Sequence, residues 1–221
     1  MPQEIEVKIP IRDRKALQRR LSALDARPAN GGTGRVHEWN VIFDTPEGGL
    51  AKHGQLLRIR TETPLTAKGK TVDGEKRILL TLKSPAVRDN EVEGDAPGFS
   101  RVSRHKVREE FELEVKDGAM LAKIFEGLGM RGWFTYEKYR TTYRLPGSQK
   151  WAKALLIEVD ETPIGDFVEL EGPPEAIDRA AQELGFARRD YIVKSYLGLY
   201  LEDRRKKGEP PSNMVFDSKK K

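Results

Sequence analysis

Residues 3 to 9, Gln3-Glu-Ile-Glu-Val-Lys-Ile9, alternate strictly, so that Glu4, Glu6 and Lys8 face one way along a strand and Ile5, Val7 and Ile9 the other. Two carboxylates and an ammonium on one face can hold a hard cation and an anion side by side. The arrangement recurs. Arg108 to Val115 carries Arg108, Glu110, Glu112 and Glu114 on one face, and Glu169-Leu-Glu171 repeats the pair of glutamates. Arg58, Arg60, Lys83, Lys138 and Arg140 occupy alternating positions of other strands. Any half-solvated sheet can show one charged face. Here, however, the polar positions across the strands are almost wholly Glu, Asp, Arg and Lys, and the apolar positions have helices available to cover them.

A barrel with an apolar outer wall under helices and a lumen lined by both signs of charge satisfies both faces. Buried charges need partners, and the basic residues must meet either carboxylates or an anionic ligand. A polyphosphate fits that need. Clustered glutamates would repel it unless divalent cations stood between, and carboxylates without neighbouring histidine or cysteine favour Mg²⁺ or Mn²⁺. Such an ion stabilises charge in phosphoryl transfer and activates water.

Other chemistries find no support. The chain has no cysteine, which excludes disulfides, thiolate zinc sites and cysteine nucleophiles. His37, His53 and His105 share no metal-ligand spacing. Gly69-Lys70-Thr71 ends like a phosphate-binding loop, but Pro64 stands five positions before its glycine and no strand-to-helix context surrounds it. Gly31-Gly32-Thr33-Gly34 is a flexible turn.

The positioning elements follow in order. Asp13 caps a helix carrying Leu17, Leu21 and Leu24, which the loop from Pro28 to Gly34 ends. Strands are predicted over 36–44, 56–60, 78–83, 108–115 and 133–145, with a hairpin of 154–160 and 166–171 about Pro163 and Gly165. The basic stretch 61–77 is a loop, and 85–105 is irregular. Helices are predicted at 117–128, 174–184 and 190–205, the first two stopped by Gly129 and Gly185. A Glu-x-Glu strand leading straight into a helix occurs three times, a degenerate repeat, and a count of about eight strands suits one closed sheet with helices outside.

The 221 residues are divided as one domain over 1–207 and a loosely held basic tail over 208–221. Hydrophobic residues make up 37% and charged residues 34%, so some charge must lie inside any compact barrel. The net charge of +5 suits an anionic partner, yet 35 acidic residues oppose 40 basic ones, and nucleic acid is not the expected ligand. No signal-peptide region and no apolar stretch of about 20 residues is present, so a soluble cytoplasmic protein without a membrane partner is expected.

Glu4-Ile-Glu-Val-Lys8 resembles the Glu-x-Glu-x-Lys signature of the CYTH superfamily, the triphosphate tunnel metalloenzymes. Phe43-Asp44-Thr45, Leu57 to Arg60, Leu80 to Lys83, Arg108 to Glu110, Lys138 to Arg140, Asp160 and Glu169 to Glu171 resemble the family's other strand motifs, over roughly residues 3 to 200. The resemblance implies an α+β fold: an eight-stranded antiparallel β-barrel tunnel with helices packed outside and a C-terminal plug helix. It implies a triphosphate-containing small molecule as partner and Mg²⁺ or Mn²⁺ as cofactor. Glu4, Glu6, Glu169 and Glu171 become metal ligands with Asp160 as helper, and Glu110 and Glu112 candidates for metal or water positioning. Lys8, Arg58, Arg60, Lys83, Lys138 and Arg140 become phosphate ligands. Arg108 either joins them or orients Glu110, and Lys194, on the predicted C-terminal helix, reaches the plugged end.

Within that resemblance the favoured reaction is hydrolysis of inorganic triphosphate. No aromatic cluster can be assigned to a base or thiazole; Trp39, Trp133 and Trp151 serve equally as core or rim anchors. A class IV adenylyl cyclase, a thiamine or nucleoside triphosphatase, and a non-catalytic polyphosphate-binding module stand as alternatives. An RNA-end or general nucleic-acid binder is a further one, which would show a steep salt dependence. A homodimer is compatible with a chain of this size.

Overall fold

The computed structural model describes residues 3–29, 33–72, 76–86 and 105–217. Most of the irregular stretch expected at 85–105, and Gly31 and Gly32 of the glycine turn, lie outside them.

Strict alternation in the first segment makes β1 (Gln3–Pro10), which pairs with β6 (Lys106–Val115) on one side and β9 (Gly165–Glu171) on the other. The sheet continues through β5 (Arg77–Pro85), β4 (Leu56–Pro64), β3 (Arg35–Asp44) and β7 (Arg131–Arg144). β8 (Leu156–Thr162) pairs with both β9 and β7, closing eight antiparallel strands into a barrel. Closure removes the free edges that an open sheet would expose. The two-residue β2 (Arg27–Pro28) adds to the end of β7 and has no counterpart in the sequence reading.

Two of the helices that follow Glu-x-Glu strands pack together over the outer wall. In α1 (Arg14–Ala23), Asp13 accepts the Ala16 N–H at 2.9 Å, the cap the sequence suggested. Leu17 and Leu21 then meet Val7 and Ile9 of β1, Val168 and Leu170 of β9, and Ile177, Ala180 and Ala181 of α4 (Pro174–Glu183). Each fully buried aliphatic side chain of this cluster contributes about 2 kcal/mol. The sharp passage from β9 into α4 needs Gly172, whose φ is 146° and where a Cβ would stand 2.7 Å from the Ala154 carbonyl oxygen.

The third such helix departs from expectation. α3 (Gly118–Gly127), capped by Asp117, sets Phe125 against Phe43, Leu57 and Ile59, over β3 and β4 rather than over the strand that precedes it. The outer positions of β6 are therefore uncovered: Phe111 is 47% and Leu113 63% exposed. A short α2 (Gly49–Lys52) sits above Asp44, which accepts the N–H groups of Thr45, Leu50 and Ala51.

α5 (Tyr196–Lys207) begins six residues later than predicted, because Ser195 caps it and a 3₁₀ turn over Arg188–Asp190 precedes it. Its Tyr196 and Tyr200 join Ile42, Phe134, Tyr136 and Phe167 at one end of the barrel. The segment after Gly208 was expected to be loosely held, but through Asp217 it is docked. Met214 is buried in that same cluster and makes a parallel bridge to Tyr136, with N–H to carbonyl bonds to Thr135 and from Glu137. Among the described residues, no helix is long and apolar enough to cross a membrane.

Candidate active site

The charged faces of the strands turn inward together and line a lumen cavity of about 340 Å³. β1 supplies Glu4, Glu6 and Lys8; β4 supplies Arg58 and Arg60; β5 supplies Lys83. β6 gives Arg108, Glu110 and Glu112, β7 gives Lys138 and Arg140, and β9 gives Glu169 and Glu171. Ser195, Tyr196 and Leu197 at the start of α5 line the same cavity.

Opposite charges interlock around it. Lys8 lies 2.6 Å from Glu169 and 3.4 Å from Glu6. Lys83 holds both oxygens of Glu4, at 2.6 and 2.7 Å, and stands 3.3 Å from Glu110. Arg60 donates to Glu112 at 2.7 Å. Burial alone would push the Glu6 carboxyl up, but Lys8 and Lys106 outweigh it and hold the group down at about 2. Lys8 is likewise raised above the usual lysine range, with Glu169 and Glu6 overcoming its desolvation.

Glu171 behaves differently. Burial, reinforced by the charge of Glu4, raises it to about 7, and Lys83 and Arg140 only partly offset this. Glu4 is also raised, by burial first and then by Glu6 and Glu110 against the pull of Lys83. The Glu4 and Glu171 carboxylates, on the neighbouring strands β1 and β9, thus repel each other, and among the described residues Glu171 makes no ion pair. No group of three or more His, Cys, Asp or Glu converges as a preformed metal cage among these residues. Even so, an oxygen-only set with mutually repelling carboxylates is the chemistry that a hard divalent ion satisfies.

Two expected site residues are not among those that line the cavity. Asp160 is wholly buried on the inward face of β8, directly opposite Arg140, where it accepts from Lys138 at 2.8 Å, from Arg140 twice at 2.7 Å and from the Tyr196 hydroxyl at 2.7 Å. Those bonds orient the cations around it. Lys194 precedes α5, is exposed, and pairs with Glu202, so it does not reach the lumen.

Sequence reasoning missed several lining residues. Glu38 is completely buried on β3, with Lys138, Arg60 and Arg140 each 3.5 Å away. Glu158 contacts Arg140 from β8. Lys106, bonded to Glu6, is lowered to about 8 by burial and by Lys8 and Arg108. The alternation of Lys106 with Val107 and of Glu158 with Ile157 and Val159 was a usable signal. Tyr136, which accepts a hydrogen bond from Arg58 at 2.9 Å, lay in a strand read only for its lysine and arginine.

The CYTH domain family model matches residues 2–196. The chain belongs to the CYTH family. CYTH domains form triphosphate tunnels, and many members act on triphosphates, generally with divalent metals. Solved structures share the CYTH fold seen here. A proposed adenylate cyclase from Vibrio parahaemolyticus is 16% identical with TM-score 0.64, covering 89% of this chain and 96% of its own. A Pyrococcus horikoshii protein is 21% identical with TM-score 0.64, covering 91% and 99%. A Hippeastrum protein with a dominant triphosphatase activity is 21% identical with TM-score 0.53, covering 94% and 97%. At these identities the likeness is one of fold. Among curated proteins, none matches this CYTH chain in sequence.

Proposed function

We propose that the protein hydrolyses inorganic triphosphate in this lumen with Mg²⁺ or Mn²⁺. The observation that carries the choice of substrate is the lack of a free aromatic face. Among the described residues, the rings lining the cavity are Tyr136 and Tyr196. The first has its hydroxyl on Arg58 and the second on Asp160, and the Lys8 and Lys138 ammonium groups lie 4.9 and 5.1 Å from the Tyr196 ring centroid. Neither offers a surface on which a base or thiazole could stack. What remains is a wall of cations and carboxylates, suited to bare phosphate oxygens with a divalent ion between.

In this reading Lys8, Arg58, Arg60, Lys83, Arg108, Lys138 and Arg140 bind the phosphate chain, and Arg58 and Arg60 each keep an Nε that makes no hydrogen bond. Glu4, Glu6, Glu169 and Glu171 would hold a divalent metal, which would supply Lewis-acid stabilisation of the transferring phosphoryl group. Glu110 and Glu112 position water on the terminal phosphorus, one Glu110 oxygen taking its proton. The P–O bond to the bridging oxygen breaks, releasing phosphate and pyrophosphate.

The test is a panel of tripolyphosphate, ATP and thiamine triphosphate with Mg²⁺ or Mn²⁺, comparing the native protein with Glu4→Gln and Glu6→Gln. Phosphate release from tripolyphosphate that disappears in both variants is expected. Release unchanged in both, or cyclic AMP formation from ATP as the main reaction, would overturn the proposal.

A further inference from the structure

Glu38 poses a physical problem that binding and metal chemistry leave untouched. Its side chain has no exposure to solvent, and neither carboxylate oxygen makes a hydrogen bond. The cations around it have spent their hydrogen bonds elsewhere: Lys138 and Arg140 on Asp160, and Arg60 on Glu112. It nonetheless stays ionised, because Lys138, Arg140, Arg60 and Arg58 together overcome its burial and hold it well below the usual carboxylate range. A counter-ion that positions its neighbours is bonded to them, as Asp160 is. One that is close but unbonded acts through its field alone.

We propose that Glu38 tunes how tightly the tunnel holds its anion, as a fixed negative charge set among the same three cations that meet the phosphates. This rests on the triphosphate reading and adds to it a determinant of affinity and product release. With Glu38 ionised, Arg60, Lys138 and Arg140 are partly neutralised before any ligand arrives. An incoming phosphate chain gains less, and an outgoing pyrophosphate is less strongly retained. Asn40 lies two residues on along the same face, wholly buried, opposite Arg60 and Tyr136, and neither polar atom of its side chain is bonded. It marks a neighbouring position where a charge can be added.

The experiment measures tripolyphosphate and pyrophosphate binding by calorimetry without metal, and steady-state turnover with Mg²⁺, for the wild type, Glu38→Gln, Glu38→Asp and Asn40→Asp. Glu38→Gln is expected to bind both anions about tenfold more tightly, with KM and kcat falling together as product release slows. Glu38→Asp, which keeps the charge, should return both to near wild-type values, and Asn40→Asp should weaken binding by a similar factor. Should Glu38→Gln fail to fold, the opposite shift in Asn40→Asp decides the matter. Folded variants that bind as the wild type does, or a Glu38→Gln that binds more weakly, would overturn the role of Glu38. A wild type that neither binds tripolyphosphate nor turns it over with Mg²⁺ would overturn the functional reading instead.

Discussion

The Lys8 ammonium lies 2.6 Å from Glu169, the residue directly opposite it in the β1–β9 register, and both are buried. The tie joins the first and last strands of the charged face at its centre. Replacing Lys8 by Met should cost about 3 kcal/mol, near the low end for stripping a buried charge of its partner, because Arg140 still bonds Glu169. Denaturant unfolding measures this, and a loss below about 1 kcal/mol would contradict the buried pair.

Asp160 anchors Lys138, Arg140 and Tyr196 at once. Asp160→Asn should lower kcat/KM for tripolyphosphate by about a hundredfold as the cations lose their aim, while leaving Mn²⁺ affinity within about twofold. Titration of Mn²⁺ by paramagnetic resonance separates the two roles. A large loss of metal affinity would make Asp160 a helper of the metal site instead.

Glu171 makes stability depend on pH in an unusual direction. Its carboxyl is raised from 4.5 to about 7 in the folded protein, so the group keeps its proton there after the unfolded chain has lost it. The contribution is full below pH 4.5 and is lost as pH rises to about 7, a change of at most about 3 kcal/mol. Glu171→Gln should therefore match the wild type in thermal stability at pH 4.5 and exceed it at pH 8 in the absence of metal. Added Mn²⁺ should raise the melting temperature of the wild type at pH 8 more than that of the variant. Equal melting curves at pH 8 without metal would argue against a strained carboxylate.

Met214 packs into the cluster that holds α5 on the barrel. Met214→Ala should lose about 3 kcal/mol, within the range for emptying a buried methionine site, and deletion of residues 209–221 should lose more. Calorimetric unfolding checks both, and an unchanged melting temperature on deletion would show that the segment contributes no packing.

The strands legible in the sequence are those whose two faces differ sharply. In β1 and β9, carboxylates alternate with aliphatics that α1 and α4 cover, so chemistry and period agree. β3 hides its site because the outward face carries His37 and Trp39 while the inward face mixes Glu38, Asn40 and Ile42, leaving no contrast to read. Glu38 was missed for that reason. Lys106 was lost to a boundary set two residues late, the least secure part of any strand assignment. Lys194 was misplaced because the helix was begun too early, before the Ser195 cap. The docking of 209–217 depends on one buried methionine among Pro, Ser and Asn, a tertiary contact with no local periodicity to announce it. The uncovered Phe111 and Leu113 show the converse, where the pattern promised a covering helix and α3 crossed to another pair of strands.

α5 is tethered on both sides. Just before it, Ile192 exchanges two backbone bonds with Lys8 of β1, and after it Met214 is bridged to Tyr136 of β7. A helix pinned to two strands on different sides of the barrel cannot swing away as a lid without breaking both seams. That end of the barrel therefore has a fixed floor. Ser195, Tyr196 and Leu197 meet the cavity as standing wall rather than as a gate.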